Sequence, residues 1–266
     1  MARADGRDEA AASADVDVVI PAYNESTRLP ETLRETVRFL SGMPWRSRVL
    51  VVDNGSVDGT AGAAAEIAAE VSGAVGGAVG GAVGGAVGGA ERVAVDVIGC
   101  SRPGKGAAVR RGILAGRAPL VGFFDADLAT PLDTLPVAIA ALRGGAAAAI
   151  ASRHVPGASF VETQPLTRRL GGHVFRTLSG ALVAGVADTQ CGFKFFQRPA
   201  VTAALVRTRT TGFAFDVELL HRIQRDGGEV VELPVAWTDR AGSTFHPVRD
   251  GIASYRAVLG LHGGVR

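Results

Sequence analysis

The chain has 266 residues, and its 28 Lys and Arg nearly balance its 26 Asp and Glu, which leaves a net charge of +2. This length can bury the core of one α/β domain, whereas two compact domains would be tight. The balanced charge argues against a general polyanion binder, and we expect no nucleic-acid partner. Cys100 and Cys191 lack the spacing of metal ligands, and no signal-peptide pattern opens the chain, so we expect a cytoplasmic protein.

Residues 1–15 are rich in Ala, Asp and Arg without periodicity, which predicts a disordered leader. Short apolar runs then predict five buried strands, at residues 16–20, 49–52, 93–98, 120–124 and 147–151. Apolar residues at helical spacing predict helices between them, at residues 30–40, 58–71, 106–116 and 131–142. The alternation predicts an α/β fold with a doubly wound, mostly parallel sheet and helices on both faces. In such a sheet, ligands gather at the carboxyl ends of the strands.

A repeat interrupts this pattern, because residues 74–89 are four copies of Ala-Val-Gly-Gly in a stretch without charges. So much Gly opposes a stable helix, and Ala and Val supply little of the apolar bulk that membrane insertion needs. The repeat therefore predicts a flexible surface loop at residues 73–90 and no transmembrane span. A functional lid is the alternative for this segment.

Polar motifs follow four of the predicted strands, where the sheet would bring them together. In chain order they are Pro21-Ala22-Tyr23-Asn24-Glu25, Asp53-Asn54-Gly55-Ser56-Val57-Asp58-Gly59-Thr60, Arg102-Pro103-Gly104-Lys105-Gly106 and Asp125-Ala126-Asp127. In the last motif, carboxylates two residues apart project to one side and suit Mg²⁺ or Mn²⁺ carrying a diphosphate. The alternative is an Asp-rich turn that closes a strand.

Together these motifs resemble family 2 glycosyltransferases of the GT-A fold. The resemblance is closest to the dolichyl-phosphate or polyprenyl-phosphate glucosyltransferase branch, and it runs from about residue 16 to about residue 255. Two segments carry it, Asp125-Ala126-Asp127-Leu128-Ala129-Thr130-Pro131 and Asp188-Thr189-Gln190-Cys191-Gly192-Phe193-Lys194. It implies one GT-A domain at residues 16–260, with a nucleotide-sugar half at 16–130 and an acceptor half, including a C-terminal extension, at 131–260.

The resemblance also implies roles for particular residues on the donor side. Asp125 and Asp127 would bind Mg²⁺ or Mn²⁺, and Asp127 would act in catalysis through that ion. The residues expected to bind the nucleotide-sugar are Pro21, Tyr23, Glu25, Asp53, Lys105 and Asp125. Asp53 can accept a hydrogen bond from the imide N–H of uracil, and Lys105, between two glycines at a helix start, can reach a phosphate. The alternatives are a plain turn at Asp53 and a solvated Lys105.

On the acceptor side, the resemblance assigns Ser152, Arg153, Gln190 and Arg240 to acceptor binding. The guanidinium of Arg153 could pair two phosphate oxygens, although a surface ion pair is the alternative. Asp216, near an apolar helix start, is the candidate general base, with a helix N-cap as the alternative. Thr244 departs from the family, whose members commonly carry Lys at this position, so one phosphate contact is in doubt.

These assignments predict an inverting, metal-dependent transfer of a hexose, glucose from UDP-glucose, to a phosphate-bearing acceptor such as a polyprenyl phosphate. Because the sequence contains no membrane helix, contact with a lipid acceptor would be peripheral, at the inner face of the membrane. Two alternatives stay open. One is a soluble glycosyltransferase that modifies a phosphorylated small molecule or a secondary metabolite, and the other is a nucleotide-sugar-binding module without turnover.

Overall fold

A computed structural model of the protein describes residues 14–76, 92–160, 179–238 and 255–261. The predicted leader up to residue 13 and residues 77–90 of the predicted repeat loop lie outside the described residues. So do Arg240 and Thr244, and their assignments stay predictions.

Four strands and four helices alternate in the first half, as the sequence pattern predicts. They are β1 (Val16–Ala22), α1 (Leu29–Ser41), β2 (Ser47–Asp53), α2 (Thr60–Gly76), β3 (Val93–Gly99), α3 (Lys105–Ala115), β4 (Leu120–Phe124) and α4 (Thr134–Arg143). The repeat loop starts later than predicted, because α2 continues to Gly76. Its many alanines, which have the highest helix propensity, outweigh the first glycines.

The second half adds five strands and two helices. They are β5 (Ala148–Ser152), β6 (Ser159–Phe160), β7 (Phe193–Gln197), α5 (Arg198–Arg207), α6 (Phe215–Arg225), β8 (Val230–Pro234) and β9 (Ala236–Trp237). A last helix covers residues 255–261. Of these elements, β5 and the start of α6 near Asp216 were predicted from the sequence.

Seven strands form the main sheet in the order β3-β2-β1-β4-β7-β5-β8, while β6 and β9 pair separately. All neighbours in the main sheet are parallel except β7, which runs antiparallel to both β4 and β5. Strand order reverses between β1 and β4, and in such sheets ligands bind in the crevice beyond this point. The predicted doubly wound, mostly parallel sheet is therefore confirmed.

Apolar side chains on the two faces of the sheet form two separate core clusters. In β1, Val18 and Ile20 belong to one cluster, and Val19 between them belongs to the other. The first cluster is completed by α1, α2 and α4, and the second by α3, α5 and α6. Period-two alternation in the strands thus sends apolar side chains to helices on both faces.

A buried ion pair lies at the amino-terminal end of β1, opposite to the carboxyl ends of the parallel strands. The guanidinium Nη2 of Arg198 lies 2.6 Å from Oδ2 of Asp17, a side chain with no exposed surface. The backbone N–H of Ala118 donates to the same oxygen at 2.8 Å. Burial raises the pKa of Asp17, and the Ala118 N–H and Arg198 oppose that rise.

We therefore expect Arg198→Met to lower the free energy of unfolding by about 3 kcal/mol, because it leaves a buried carboxylate without its cation. Urea denaturation with an unchanged m-value would measure the loss. The matched control is Arg34→Met, which breaks an exposed pair with Glu70 and should cost less than about 1 kcal/mol. Equal losses in the two variants would contradict the structural role of the Asp17 pair.

Candidate active site

The two aspartates of Asp125-Ala126-Asp127 lie in a turn directly after β4. The backbone N–H of Asp125 donates to the carbonyl of Gly192 at 3.0 Å, and the Asp127 carboxylate accepts the N–H of Ala129 at 3.0 Å. Leu128, which closes this turn, has a positive φ of 49°. The prediction of an Asp-rich turn is therefore correct. The turn does not exclude a ligand site, because it places both aspartates at the switch point of the sheet.

Lys105 is the direct partner of this motif. Its Nζ lies 2.6 Å from Oδ1 of Asp125, and only 17% of its side chain is exposed, so it is not a solvated lysine. Burial alone would lower the pKa of Lys105, but the negative charges of Asp125 and then Asp216 outweigh burial and raise this pKa above its ordinary value. Lys105 is therefore a fixed positive charge beside the aspartates.

The two glycines around Lys105 are needed for close packing. Gly104 has a φ of 113°, and a Cβ there would lie 2.3 Å from the carbonyl oxygen of Thr211. A Cβ on Gly106 would lie 2.4 Å from Cβ of Phe215 at the start of α6. Only glycine permits these approaches, so the start of α3 packs directly on the start of α6.

Asp53, at the end of β2, accepts the backbone N–H of Ser56 at 3.3 Å, which makes it a turn former. Its nucleotide role stays a prediction. The neighbouring Asn54 was missed by the sequence analysis. Its amide donates to the carbonyl of Arg102 at 2.8 Å and accepts the N–H of Gly104 at 2.8 Å. Asn54 thus connects the end of β2 to the loop that carries Lys105.

Glu25 lies near the aspartates from the side of β1. It forms a two-point contact with Arg28, at 2.8 and 2.9 Å, and its N–H donates to Thr60 Oγ1 at 2.8 Å. Burial raises the pKa of Glu25, the nearby charge of Asp127 adds to the rise, and Arg28 opposes it. Of the other predicted donor contacts on this side, Pro21 is part of β1 and Tyr23 is exposed.

The pKa of Asp127 is also raised, first by burial and then by the charge of Asp125. A cation bound between the two carboxylates would relieve both effects. Among the described residues, no group of three or more His, Cys, Asp or Glu could bind a metal. Two carboxylates nevertheless suit Mg²⁺ or Mn²⁺ when a diphosphate and water supply the remaining oxygen ligands.

On the acceptor side, Arg153 follows β5 and forms a two-point ion pair with Asp188. Nε and Nη2 lie 2.7 and 2.9 Å from the carboxylate oxygens, and the Asp188 side chain is only 1% exposed. Burial would raise the pKa of Asp188, but the charge of Arg153 outweighs burial and lowers it. The ion-pair alternative is thus the observed arrangement, although the pair is buried and not on the surface. Contact of Arg153 with an acceptor stays a prediction.

Two other predicted acceptor residues take different places. Ser152 has no exposed surface and accepts the N–H of His154 at 3.3 Å, so an acceptor does not reach it in this conformation. Its strand, β5, lies between β7 and β8, and Ser152 pairs with Pro234 at the end of β8. Gln190 is half-buried, and its N–H donates to Asp188 at 3.2 Å. Its contact with an acceptor stays a prediction.

Asp216 lies beneath the site. Its side chain is 4% exposed, and its Oδ1 is 2.9 Å from Nζ of Lys194, which is fully buried. The N-cap alternative is wrong, because the N-cap of α6 is Ala214 and Asp216 belongs to the first helical turn. The general-base role stays a prediction, and the buried ion pair argues against it, since a base must reach the proton that it removes.

Comparison with known proteins identifies the family of the chain. The model of "Glycosyl transferase family 2" matches residues 17–205. This range includes the site residues from Pro21 to Lys194 and ends before Asp216. The chain belongs to glycosyltransferase family 2. It is a glycosyltransferase.

Curated relatives agree with the branch that the motifs resemble. The chain is 34% identical to "Dolichyl-phosphate beta-glucosyltransferase" of Drosophila melanogaster, over 88% of this chain and 70% of the relative. The protein of the same name from Homo sapiens is 31% identical, over 87% of this chain and 70% of the relative.

A solved structure with the same fold is glucosyl-3-phosphoglycerate synthase from Mycobacterium tuberculosis, in complex with Mn²⁺, UDP and phosphoglyceric acid. Its TM-score is 0.63 at 21% identity, and the match covers 98% of this chain and 82% of that one. The glycosyltransferase therefore has the predicted GT-A fold. Within its described residues, no helix combines the length and the apolar character needed to cross a bilayer.

Lys194 is the main site residue that the sequence analysis gave no role. A compositional signal could have identified it, because the whole chain contains only two lysines, Lys105 and Lys194. Both lie at the candidate site, while arginine serves as the strong base everywhere else. Because lysine is rare in this chain and occurs only in two of the family motifs, its positions indicated the site.

Gly192 provides a direct test of the site. A Cβ at this position would lie 1.9 Å from Oδ2 of Asp125, so Gly192→Ala must displace that carboxylate from Lys105. We expect turnover to fall at least about tenfold, the size of one lost charged hydrogen bond, while the fold persists. Steady-state kinetics and the melting temperature would measure the two effects.

The matched control for this substitution is Gly62→Ala in α2, where a Cβ would meet nothing within 4 Å. It should leave turnover unchanged and should raise stability slightly, because Ala favours the helix. Wild-type turnover in a folded Gly192→Ala protein would show that the position of Asp125 is unimportant.

Proposed function

We propose that this enzyme transfers glucose from UDP-glucose to a phosphate oxygen of a polyprenyl phosphate, with inversion at the anomeric carbon. The observation that carries the proposal is the contact between Lys105 and Asp125, beside Asp127, at the switch point of the sheet. This site occurs in a chain whose curated relatives are named dolichyl-phosphate beta-glucosyltransferases. The relatives' names supply the sugar and the acceptor class.

Charge at the site supports a diphosphate donor. A departing UDP carries negative charge, and Lys105 provides a positive charge that is already in place and costs no reorganisation. Asp125 and Asp127 would hold Mg²⁺ or Mn²⁺, which would neutralise further charge on the leaving diphosphate. Asp53 would accept the uracil imide N–H through the oxygen that the Ser56 N–H does not use.

The reaction is a single displacement. An acceptor oxygen attacks the anomeric carbon from the face opposite to the diphosphate, the new C–O bond forms, and the old C–O bond breaks as UDP leaves with the electron pair. A phosphate oxygen is already anionic near neutral pH and needs little help from a base, whereas a hydroxyl would need one. The burial of Asp216 therefore favours a phosphate acceptor over a hydroxyl acceptor.

The acceptor would approach from the side of β5 and β9. A cleft beside Asp127 is lined by Gly192 and Trp237, and the Arg153 guanidinium lies 5.3 Å from the ring centre of Trp237. Nη1 of Arg153, which the contacts with Asp188 do not use, would donate to an anionic acceptor. Because a polyprenyl phosphate resides in a bilayer, the proposal includes peripheral contact with a membrane, on its cytoplasmic face.

Donor binding gives the first test. Because a ligand stabilises the state that binds it, UDP with Mn²⁺ should raise the melting temperature more than GDP with Mn²⁺. Asp127→Ala should remove the metal-dependent part of this shift and most of the turnover. Removal of Glu66, an exposed carboxylate on α2, by Glu66→Ala should change neither. Greater protection by GDP would reassign the donor, and full turnover in EDTA would exclude the metal.

The acceptor class gives the second test. With UDP-glucose as donor, polyprenyl phosphate should be glucosylated, while phosphoglycerate and the free polyprenol should not. Asp216→Asn should then retain far more activity than Asp127→Ala, because no strong base is required. Mass spectrometry of the products would decide between the acceptors. Glucosylation of phosphoglycerate alone would show that the acceptor is a soluble phosphorylated molecule. Glucosylation of the free polyprenol would show that the enzyme activates a hydroxyl group and therefore needs a general base.

Arg153→Lys completes the acceptor test. It keeps the positive charge but loses the planar two-point contact, so it should raise the KM for the acceptor severalfold and leave UDP affinity unchanged. A change in UDP affinity without a change in the KM for the acceptor would contradict a role of Arg153 in acceptor binding.

A further inference from the structure

The only two lysines of the chain lie on the same aromatic ring. Nζ of Lys105 is 5.7 Å from the ring centre of Phe123, and Nζ of Lys194 is 5.5 Å from it. The 26 other strongly basic residues are all arginines. An ammonium group is compact, whereas a guanidinium is a broad planar fork. The two positions therefore share a requirement for a small cation in a closed space.

Lys194 connects two parts of the structure from within the core. It has no exposed surface, its Nζ lies 2.9 Å from Oδ1 of Asp216, and it donates to the carbonyl of Cys191 at 2.5 Å. The next residue, Gly192, accepts the N–H of Asp125. Lys194 thus contacts the first turn of α6 and the segment whose next residue supports Asp125.

Asp216 acts on both lysines. Its ion-pair partner is Lys194, but its charge also attracts Lys105, whose own partner is Asp125 at 2.6 Å. The two helix starts are close, because Gly106 directly follows Lys105 and packs against Phe215, which directly precedes Asp216. If Lys194 lost its charge, Lys105 would be the remaining lysine available to neutralise the buried Asp216 carboxylate. A buried carboxylate without a cation is costly, so the pull on Lys105 would be strong.

We propose that Lys194 is a positioning residue that neutralises Asp216 inside the fold and thereby keeps Lys105 directed at Asp125 and the diphosphate of the donor. The diphosphate part of this inference rests on the proposed function. The role also explains the burial of Asp216, which then balances charge beneath the site and takes no proton from the acceptor.

Charge removal in a double-mutant cycle tests the proposal. Lys194→Gln keeps an N–H donor for the Cys191 carbonyl but loses the positive charge. It should weaken UDP binding, measured by calorimetry with Mn²⁺, by about tenfold, because Lys105 turns toward Asp216. Lys194→Gln with Asp216→Asn removes both charges and should restore affinity to within about threefold of wild type. UDP binding as tight as wild type in a folded Lys194→Gln protein would overturn the proposal.

A control separates positioning from stability. Arg198→Met breaks the buried ion pair with Asp17, at the end of the sheet away from the site. It should therefore lower the melting temperature and leave UDP affinity unchanged. If Arg198→Met weakens UDP binding as much as Lys194→Gln does, the effect of Lys194 is general destabilisation and the proposal fails. If Lys194→Gln does not fold, the double variant decides. Affinity within about threefold of wild type supports charge balance, and a tenfold loss overturns it.

A second measurement needs neither UDP nor metal. Protein labelled with ¹³C only in lysine should give two sets of lysine side-chain signals, and Lys194→Gln identifies the set of Lys105. We expect the Lys105 signals to shift in Lys194→Gln and to return in the double variant. Unshifted signals would overturn the proposal. Failure of the wild type to bind UDP would instead contradict the proposed function, and the lysine signals would still test the positioning role.

Discussion

The close approach of Asp125 to Gly192 is the constraint on which the rest of the site depends. Oδ2 of Asp125 lies where any side chain at position 192 would be, and Lys105 contacts Oδ1. This approach requires the segment before β7 to run directly behind the turn after β4. The antiparallel insertion of β7 between β4 and β5 brings it there. An otherwise parallel sheet thus acquires one reversed strand, and the segment that leads into this strand lies directly behind Asp125.

Two buried ion pairs fix the segment from Asp188 to Lys194 to the elements around it. Asp188 at one end pairs with Arg153, and Lys194 at the other pairs with Asp216. Buried pairs add little net stability, because desolvation offsets most of the attraction, but breaking one of them is costly. Their consequence here is positional. Each pair fixes one end of the segment that contains Gly192, whose carbonyl accepts the N–H of Asp125.

Burial also separates the carboxylates of the site into two kinds. Burial, and then the charges of neighbouring carboxylates, raise the pKa values of Asp127 and Glu25, and a cation at Asp125 and Asp127 would oppose this rise. Asp216 lies behind them and already has its cation. Because Lys194 neutralises Asp216, this carboxylate would add little repulsion toward an acceptor that brings its own negative charge. The relatives' names describe such an acceptor.

The sequence by itself determined the strand and helix alternation of the first half, the polar strand ends and the family, because periodicity, turn residues and motifs are local signals. It could not determine β7, whose place between β4 and β5 depends on pairing with distant strands. Nor could it decide the partner of Arg153, which lies 35 residues away, or the burial of Asp216. A charged residue in a motif looks the same in sequence whether it faces a ligand or a buried counter-ion. Only the tertiary structure decides, because burial and charge pairing arise when distant segments meet.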